Sequence, residues 1–379
     1  MQARNSPGEI RDAILASLEL LGGEASITEI QEGVSELIGH PVPASSVRSY
    51  LQLNTPTVFT RTGRGRYTLG AVHEEAGVYS TSSVDYTPVA EFGRARLFQA
   101  DCLAWLRQQD SNSIHAVVTD PPYGLVEYTA SEQAKLRAGR GGVWRIPPSF
   151  DGHTRSPLPR FTTLTRDQLS DLFHFFQRWS RAIHRVLVPG GHVFIASNPL
   201  VSYMISQAAV AGGFERRGEI IRLVMTMRGG DRPKNAHEEF SDVSVMPRSM
   251  WEPWLLFRKP LEGRVQDNLR KWKTGGLRRI SDARPFGDVI KSQPTRTSEK
   301  KIAPHPSLKP QAFLRQIVRA SLPLGEGIVL DPFAGSGSTL AAANAVGYES
   351  IGVEIDPRYV EIARTAVSRL AEIMVKEDI

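Results

Sequence analysis

Residues 328–339 read Ile-Val-Leu-Asp-Pro-Phe-Ala-Gly-Ser-Gly-Ser-Thr, and this stretch indicates the fold more clearly than any other. Three apolar residues form a short strand, an acid follows, and a loop of small residues opens a helix. Gly335 and Gly337 allow a ligand to approach the backbone closely, and the first N–H groups of the helix favour an anionic group. A phosphate-binding loop and a dinucleotide fingerprint are excluded, because no lysine follows Gly337 and Leu340 replaces the third glycine.

From residue 94 onward, apolar strands alternate with amphipathic helices. This alternation is typical of an α/β domain, here 94–379, with a doubly wound, mostly parallel sheet that binds ligands beyond the carboxyl ends of its strands. The predicted strands are Ala95–Gln99, Ile114–Thr119, His192–Ala196, Glu219–Met225, Ile328–Leu330 and Ser350–Val353. The predicted helices are Leu103–Gln108, Thr165–Leu187, Leu200–Ala211, Gln311–Ser321, Thr339–Val346 and Pro357–Ile373.

Two regions interrupt this alternation. Residues 124–164 contain several Gly, Pro and Arg residues and are too irregular for a simple connection. Residues 226–304 are interpreted as an insertion beside the sheet that recognises the target. They include a basic segment, Arg258 to Lys301, with 13 Lys or Arg against 5 Asp or Glu. Such a segment is either a solvated surface or a surface that meets nucleic-acid phosphates.

Residues 1–70 are predicted to form a separate module. Three helices followed by a Gly-rich hairpin resemble a winged helix-turn-helix, which makes the module a candidate DNA-binding unit; a unit that docks a protein or braces the larger domain fits equally well. Residues 71–93 are polar and are interpreted as a linker. The first predicted helix covers 10–21 and the second covers Ile27–Ile38, with Ser26 and Glu29 as a capping box. A third helix starts at Ser45 or Ser46. The predicted strands of the hairpin are Val58–Arg61 and Arg66–Leu69.

A strand also ends in residues 120–123, Asp-Pro-Pro-Tyr. Two consecutive prolines stiffen the turn and remove two N–H donors, so the backbone offers only carbonyl acceptors beside a carboxylate and an aromatic ring. An exocyclic amino group needs two acceptors to orient it, and a flipped base needs a flat face for stacking. The pattern predicts Asp120, Pro121, Pro122 and Tyr123 as catalytic residues, although an ordinary strand-ending turn has the same composition.

Glu354 lies 17 residues after Gly337, where the next strand is expected to end. In Rossmann-like sheets an acid at this position accepts hydrogen bonds from the hydroxyls of a ribose. Asp356, directly before Pro357, fits a helix N-cap instead. Glu354 is therefore the predicted ribose ligand.

Together these motifs resemble the β class of DNA amino-methyltransferases, over about residues 95–373. In that class Asp-Pro-Pro-Tyr precedes the glycine loop, here by about 210 residues. Protein-glutamine and most RNA amino-methyltransferases with a similar tetrapeptide have the two motifs in the opposite order. The resemblance implies a Rossmann-like methyltransferase fold and S-adenosylmethionine as cofactor. It implies a cofactor site made of Asp101, Ser307, Lys309, Asp331, Phe333, Gly335, Ser336, Gly337, Thr339 and Glu354.

Two further stretches contribute to the resemblance. Residues 305–310, His-Pro-Ser-Leu-Lys-Pro, resemble the family's His-Pro-Thr-x-Lys-Pro and would put Ser307 and Lys309 near the cofactor carboxylate. Gln99–Cys102 resembles the stretch whose acid meets the cofactor adenine, with Ala100 in place of the usual glycine. These departures replace a hydroxyl by a hydroxyl and one small residue by another.

The resemblance implies methyl transfer to an exocyclic amino nitrogen of a flipped-out base in double-stranded DNA. Asp120 favours N6 of adenine, because serine at this position is more typical of cytosine-N4 enzymes, and cytosine N4 is the alternative. A non-catalytic DNA-binding regulator with a decayed methyltransferase fold is a remote alternative. The sequence leaves open a homodimer and a partner restriction endonuclease.

The composition bounds these interpretations. With 41% hydrophobic and 23% charged residues and a net charge of +6, the chain has the composition of a soluble globular protein with an anionic partner. It lacks a membrane-length apolar run and a signal-peptide core, so a cytoplasmic location is expected. The single cysteine, Cys102, is interpreted as a packing residue, and nine scattered histidines predict no metal site.

Overall fold

The computed structural model describes residues 10, 13–14, 17–18, 21, 24–53, 55, 59–69, 86–122, 166–224, 230, 232–233, 235–305 and 307–375. The chain divides into two compact units, Met1–Val84 and Asp85–Ile379. The last residue of the Asp-Pro-Pro-Tyr motif, Tyr123, and the irregular region 124–164 lie outside the described residues.

The first unit combines helices with a small antiparallel sheet of strand order β1-β3-β2. Its elements are β1 (Glu24–Ser26), α1 (Ile27–Ile38), α2 (Ala44–Leu53), β2 (Phe59–Gly63) and β3 (Arg66–Leu69). The capping box is confirmed: the Glu29 amide donates to Ser26 Oγ, and the Ser26 amide donates to the Glu29 carboxylate. Strand β1 was not predicted, because three residues carry too little periodicity.

The second unit is built on a nine-stranded sheet of order β10-β8-β9-β7-β6-β11-β12-β5-β4. Strands β7, β6, β11, β12 and β5 are mutually parallel, whereas β9 and the edge strand β4 run antiparallel to their neighbours. The strands are β4 (Ala90–Phe92), β5 (Ala95–Gln99), β6 (Ile114–Thr119), β7 (Leu187–Ala196), β8 (Glu215–Leu223), β9 (Trp251–Arg258), β10 (Val289–Lys291), β11 (Ile328–Asp331) and β12 (Glu349–Glu354). This confirms the predicted doubly wound, mostly parallel α/β architecture.

Helices cover both faces of the sheet because successive residues of its central strands point to opposite sides. Val117 and Val193 pack into a core with α3, α4 and α5, whereas Val118 and Phe194 pack into a second core that includes α8. The helices are α3 (Cys102–Gln108), α4 (Arg166–Val186), α5 (Ser202–Ala211), α6 (Val265–Trp272), α7 (Thr297–Ile302), α8 (Gln311–Ser321), α9 (Ser338–Ala345) and α10 (Pro357–Ala371).

The strand order reverses between β6 and β11. From β11 the chain continues through α9 to β12 on one side, and from β6 it continues through α4 to β7 on the other. A doubly wound sheet binds its ligands at such a switch point, beyond the carboxyl ends of the strands. The strands of both predicted motifs end there, because Asp120 directly follows β6 and Asp331 is the last residue of β11.

Two predicted boundaries were wrong. Strand β9 lies in the sheet between β7 and β8, so residues 226–304 are not wholly an insertion beside it. Its residues Trp254–Phe257 are buried on both faces and lack the alternating pattern of a half-buried strand. The predicted linker 71–93 was also too long, because β4 extends the sheet and Tyr86 packs against the core.

Much of the basic segment lies at the amino edge of the parallel strands, opposite Asp120. Asn268 of α6 donates to the Pro189 carbonyl near the start of β7 at 2.9 Å, and Lys259 donates to the Leu187 carbonyl at 2.7 Å. On α6, Arg270 and Lys271 pair with Asp267 and Glu262.

Candidate active site

Asp120 and Lys309 form a largely buried ion pair at the carboxyl edge. Asp120 follows β6, and Lys309 precedes α8; the Lys309 Nζ lies 2.6 Å from Asp120 Oδ2, and both side chains are less than 20% exposed. Pro121 is buried and Pro122 exposed. The ion pair thus joins the Asp-Pro-Pro motif to the stretch 305–310, and its partners are 189 positions apart in the sequence.

Two further charges complete this cluster. Lys309 Nζ also lies 3.1 Å from Glu252 Oε1 at the start of β9, and Glu252 Oε2 accepts from Arg222 of β8 at 2.7 Å. Burial alone would lower the pKa of Lys309, but the charges of Asp120 and Glu252 outweigh it and raise that pKa. Burial likewise would raise the pKa of Glu252, but Lys309 and Arg222 lower it. Two acids and two bases therefore balance one another within the buried cluster.

The predicted glycine loop lies directly beside this cluster. Asp331 is buried; its Oδ1 accepts from Thr119 Oγ1 at 2.7 Å and from the Phe333 amide at 3.1 Å. Burial is the main reason that the pKa of Asp331 rises to about 6, and the nearby charge of Asp120 also raises it. The Phe333 ring packs against Phe175 and Trp179 of α4 at centroid distances of 6.2 and 6.1 Å. The loop is thereby fixed from both sides.

The two glycines of the loop have different surroundings. A Cβ on Gly335 (φ +51°) would lie 3.2 Å from His305 Nε2, a residue of the pocket wall. A Cβ on Gly337 (φ +80°) would lie only 2.4 Å from Val367 Cγ2 of α10. Gly335 therefore keeps backbone open to the pocket. Gly337 is required for packing against α10, a constraint that the sequence did not predict.

Glu354, at the end of β12, accepts a backbone hydrogen bond at each carboxylate oxygen, one of them from the glycine loop. It accepts from the Gly335 amide at 2.7 Å and from the Asp356 amide at 2.8 Å, and burial raises its pKa. Asp101 caps α3 by accepting from the Ala104 amide, and it follows the strand that pairs with β12. The two predicted acids thus end neighbouring strands.

The Asp120–Lys309 pair and the glycine loop line one open cavity at the carboxyl edge of the sheet. Of the predicted residues, Gly337, Glu354, Asp101, Pro121 and Pro122 are not part of its described lining. The cavity is lined by Asp120, Trp254, His305, Ser307, Lys309, Leu314, Asp331, Phe333, Ala334, Gly335, Ser336, Ser338 and Thr339.

The sequence did not reveal Glu252 and Trp254, because strand β9 was not predicted. Arg222 lies on a predicted strand, but its role was missed because its partner Glu252 belongs to β9. His305 belongs to the predicted stretch 305–310, but the sequence assigned it no role. His305 stacks edge-on against Tyr359 at 4.4 Å, accepts from the Ser307 amide at Nδ1, and has a pKa lowered by burial. A neutral imidazole that accepts at Nδ1 carries its proton on Nε2, towards the glycine loop.

Cys102 is buried on α3, and burial, followed by the charge of Asp101, raises the pKa of its thiol to about 12. A thiol protonated at neutral pH is a poor nucleophile, as expected for a packing residue. The described residues include no cluster of three His, Cys, Asp or Glu that could hold a metal ion. In the same part of the chain, every helix is too short or too polar to cross a lipid bilayer.

Comparison with known families agrees with this geometry. Residues 114–365, about two thirds of the chain, match the family model for N6/N4 DNA methylases. The chain belongs to this family of DNA amino-methyltransferases, whose substrate is DNA. S-adenosylmethionine is its cofactor.

The individual relatives share only about a quarter of their aligned residues with this chain. The chain is 26% identical to the type II methyltransferase M.HindIII of Haemophilus influenzae over 285 residues, which cover 68% of this chain and 90% of the relative. It is 24% identical to M2.LlaDCHI of Lactococcus lactis subsp. cremoris, over 74% of this chain and 92% of the relative. Among solved structures, TTHA0409 of Thermus thermophilus, crystallised with S-adenosyl-L-methionine, is 23% identical with a TM-score of 0.46, over 73% of this chain and 96% of that chain.

The pocket residues fit this cofactor. The open backbone at Gly335 would be blocked by a side chain, and the first turn of α9 directs N–H groups to the loop, where a carboxylate is favoured. Phe333 supplies an apolar surface, and Ser307 and Ser338 supply hydroxyls. The lining can therefore accept a ligand with both apolar and charged parts.

We predict that Asp331→Asn stabilises the protein above pH 6. Asparagine keeps an acceptor for Thr119 and Phe333 and removes a desolvated charge. Burial raises the pKa of Asp331 from 3.8 to about 6 in the folded protein. As pH rises, the unfolded chain therefore loses the Asp331 proton before the folded protein does. The free energy of unfolding of the wild type falls accordingly between pH 3.8 and about pH 6. The gain in free energy of unfolding should approach roughly 3 kcal/mol at pH 8 and vanish below pH 4.

Urea denaturation of both proteins from pH 4 to pH 8 measures this gain. Asp282→Asn, at an exposed position, is the control and should show no comparable pH-dependent gain. Equal stabilities of wild type and Asp331→Asn at pH 8 would contradict the assignment of a desolvated carboxylate.

Proposed function

We propose that this chain transfers the methyl group of S-adenosylmethionine to N6 of adenine in double-stranded DNA. The observation that carries the proposal is the largely buried Asp120 carboxylate, which shares one cavity with the glycine loop. Family membership covers adenine N6 and cytosine N4 alike. Aspartate rather than serine as the first residue of the motif favours adenine.

Asp120 and Pro121 would act on the amino group of the base. The lone pair of an exocyclic amine is delocalised into the ring, so the nitrogen is a weak nucleophile. The Asp120 carboxylate and the Pro121 carbonyl would accept its two hydrogens and favour a pyramidal nitrogen, with the lone pair directed out of the ring plane. Pro121 and Pro122 lack N–H groups, which would compete for the same acceptors.

The reacting groups must also be aligned. Bound S-adenosylmethionine supplies a sulfonium methyl group that a nitrogen can attack in line. We assign the loop residues Asp331, Phe333, Gly335, Ser336 and Thr339 to its methionine part, which would hold that methyl group opposite the amino nitrogen. No covalent enzyme intermediate is required: the S–C bond would break as the N–C bond forms, sulfur would keep that electron pair as a neutral thioether, and the amino nitrogen would lose one hydrogen as a proton.

Glu354 and Asp101 are proposed to bind the nucleoside part of the cofactor. Each acid lies at or just beyond the end of one of two paired strands, β12 and β5. Glu354 would bind the ribose hydroxyls and Asp101 the adenine. Ser307 would bind near the cofactor carboxylate. Lys309 was expected there too, but its Nζ contacts two carboxylates of the protein, so we propose that it pairs with Asp120 instead.

The target base is proposed to leave the duplex before it reacts. Asp120 is only 19% exposed, and the amino group of a paired base cannot approach a carboxylate held below the surface. A base rotated out of the helix can enter the cavity, where Tyr123 would stack on it.

We expect Asp120→Asn to abolish most methyl transfer while leaving cofactor binding intact. The amide retains the size of the side chain but replaces an anionic acceptor, a change typically costing 100- to 1,000-fold or so in rate. Single-turnover transfer to plasmid DNA and calorimetry with S-adenosylmethionine test the two parts separately. Asp267→Asn, on α6 at the opposite edge, is the matched control and should transfer at the wild-type rate. Wild-type transfer by Asp120→Asn would remove Asp120 from the mechanism.

The product identifies the base. We predict N6-methyladenine in DNA that is digested to nucleosides after reaction and analysed by mass spectrometry. N4-methylcytosine would overturn the choice of adenine, while the proposed acceptors and alignment would apply unchanged, because both amines have the same delocalised lone pair.

We also propose that the first unit is a winged-helix module that contacts DNA. Helical residues precede β1, two helices and a hairpin follow, and β1 pairs with β3 of the hairpin. Arg48, Ser49 and Gln52 are exposed on α2, as is Arg64 at the hairpin turn. Such a helix can contact the major groove while the hairpin contacts phosphates.

Replacing Arg48 and Arg64 by alanine in the full chain should weaken DNA binding without changing cofactor affinity. The log–log salt dependence of binding should fall by roughly 0.9 for each phosphate that the variant no longer neutralises. Arg369→Ala, exposed on α10, serves as the control. If the double variant binds duplex DNA with wild-type affinity and salt dependence, the module does not contact DNA through these residues.

A further inference from the structure

Glu252 holds a special position because it is close to the proposed catalytic acid without lining the described cavity. Lys309 Nζ lies 2.6 Å from Asp120 Oδ2 and 3.1 Å from Glu252 Oε1. The ammonium is therefore held by two carboxylates, one on β9 and one directly after β6. All three side chains are between 15% and 19% exposed, so solvent screens these contacts weakly.

Glu252 is itself firmly anchored. Its other oxygen accepts from Arg222 Nη1 at 2.7 Å, and Arg222 donates to Ser292 Oγ at 3.0 Å and to the Gln293 carbonyl at 3.2 Å. The Arg222 guanidinium also lies 5.1 Å from the centre of the Phe313 ring. Strands β8 and β9 pair through this position, with Arg222 opposite Glu252. The anchor belongs to the sheet rather than to a loop.

We propose that Glu252 is a positioning residue of methyl transfer, which acts on Asp120 through the Lys309 ammonium. The inference rests on the proposed catalytic role of Asp120. A lysine is a point charge on a flexible chain, so a single contact defines its position poorly. The second contact, to Glu252, fixes where the ammonium lies and hence how the Asp120 carboxylate is oriented.

Charge balance gives Glu252 a second effect. With Glu252 the four side chains carry two positive and two negative charges; without it, two cations face Asp120 alone. Lys309 would then be drawn more strongly to Asp120 and would compete with the amino group for its oxygens. Other groups near Asp120 are His305 and Asp331, whose pKa values both respond to its charge. Neither replaces the Glu252 contact with Lys309.

The same strand pair offers a matched control. Arg258 of β9 and Glu215 of β8 form a second ion pair at 2.7 Å, at the amino edge of the sheet. Glu215→Gln removes a carboxylate from an Arg–Glu pair across the same two strands. If ion pairs between these two strands matter only for stability, Glu215→Gln and Glu252→Gln should both leave the transfer rate unchanged.

The test is a double-substitution cycle on the full chain, measured as single-turnover methyl transfer to duplex DNA. We expect Glu252→Gln to slow transfer on the order of tenfold, with dissociation constants for S-adenosylmethionine and DNA within about twofold of wild type. Glu215→Gln should transfer at the wild-type rate. Because Glu252 acts through Lys309, adding Glu252→Gln to Lys309→Met should cause no further loss.

Two outcomes would overturn the inference: a wild-type rate for Glu252→Gln, or losses that multiply in the double variant. If Glu252→Gln does not fold, Glu252→Asp keeps the charge but shortens the side chain; a slower rate supports the inference and a wild-type rate overturns it. Asp120→Asn is measured in parallel. Wild-type transfer by that variant would disprove the catalytic role of Asp120, whereas an inactive Asp120→Asn beside a fully active Glu252→Gln would disprove only the role of Glu252.

Discussion

The ion pair between Asp120 and Lys309 is the contact on which the rest of the site depends. Burying two charges is costly, and a single pair rarely recovers that cost from its own attraction. Here Glu252 and Arg222 extend the pair into a balanced cluster whose members come from β8, β9 and the segments that follow β6 and precede α8. The cluster therefore requires the completed sheet, since no two of its members are neighbours in sequence.

The sheet creates the site by bringing two distant strand ends together. Strands β6 and β11 are adjacent and parallel although more than 200 residues separate them, and their helices leave in opposite directions. Asp120 and Asp331 both line the cavity that lies in the resulting gap. Burial beside β6 also explains why Asp331 has a pKa of about 6. A carboxylate that is expensive to ionise is a feature of binding and catalytic sites.

The two edges of the sheet have separate roles. The carboxyl edge bears the glycine loop, the charge cluster and the cavity, whereas the amino edge bears α6 and a large share of the basic segment. Asn268, fully buried, connects α6 to the Pro189 and Thr274 carbonyls and to the Glu262 amide. These bonds indicate that α6 is a structural brace. Charge counted along the sequence could not reveal this, because it carries no information about which edge a segment occupies.

The sequence by itself determined the elements whose signals are local. Helix α8 has its predicted bounds, Gln311–Ser321, and Ser26 with Glu29 forms the predicted capping box, because helical periodicity and capping depend on residues three or four apart. The strand-acid pattern likewise predicted Asp120 and Asp331 at one edge. Only the tertiary structure decided that β9 lies inside the sheet, that Gly337 faces Val367, and that Lys309 binds Asp120 and Glu252. The physical reason is that strand pairing and burial of charge join residues far apart in sequence, whereas periodicity reports only on neighbours.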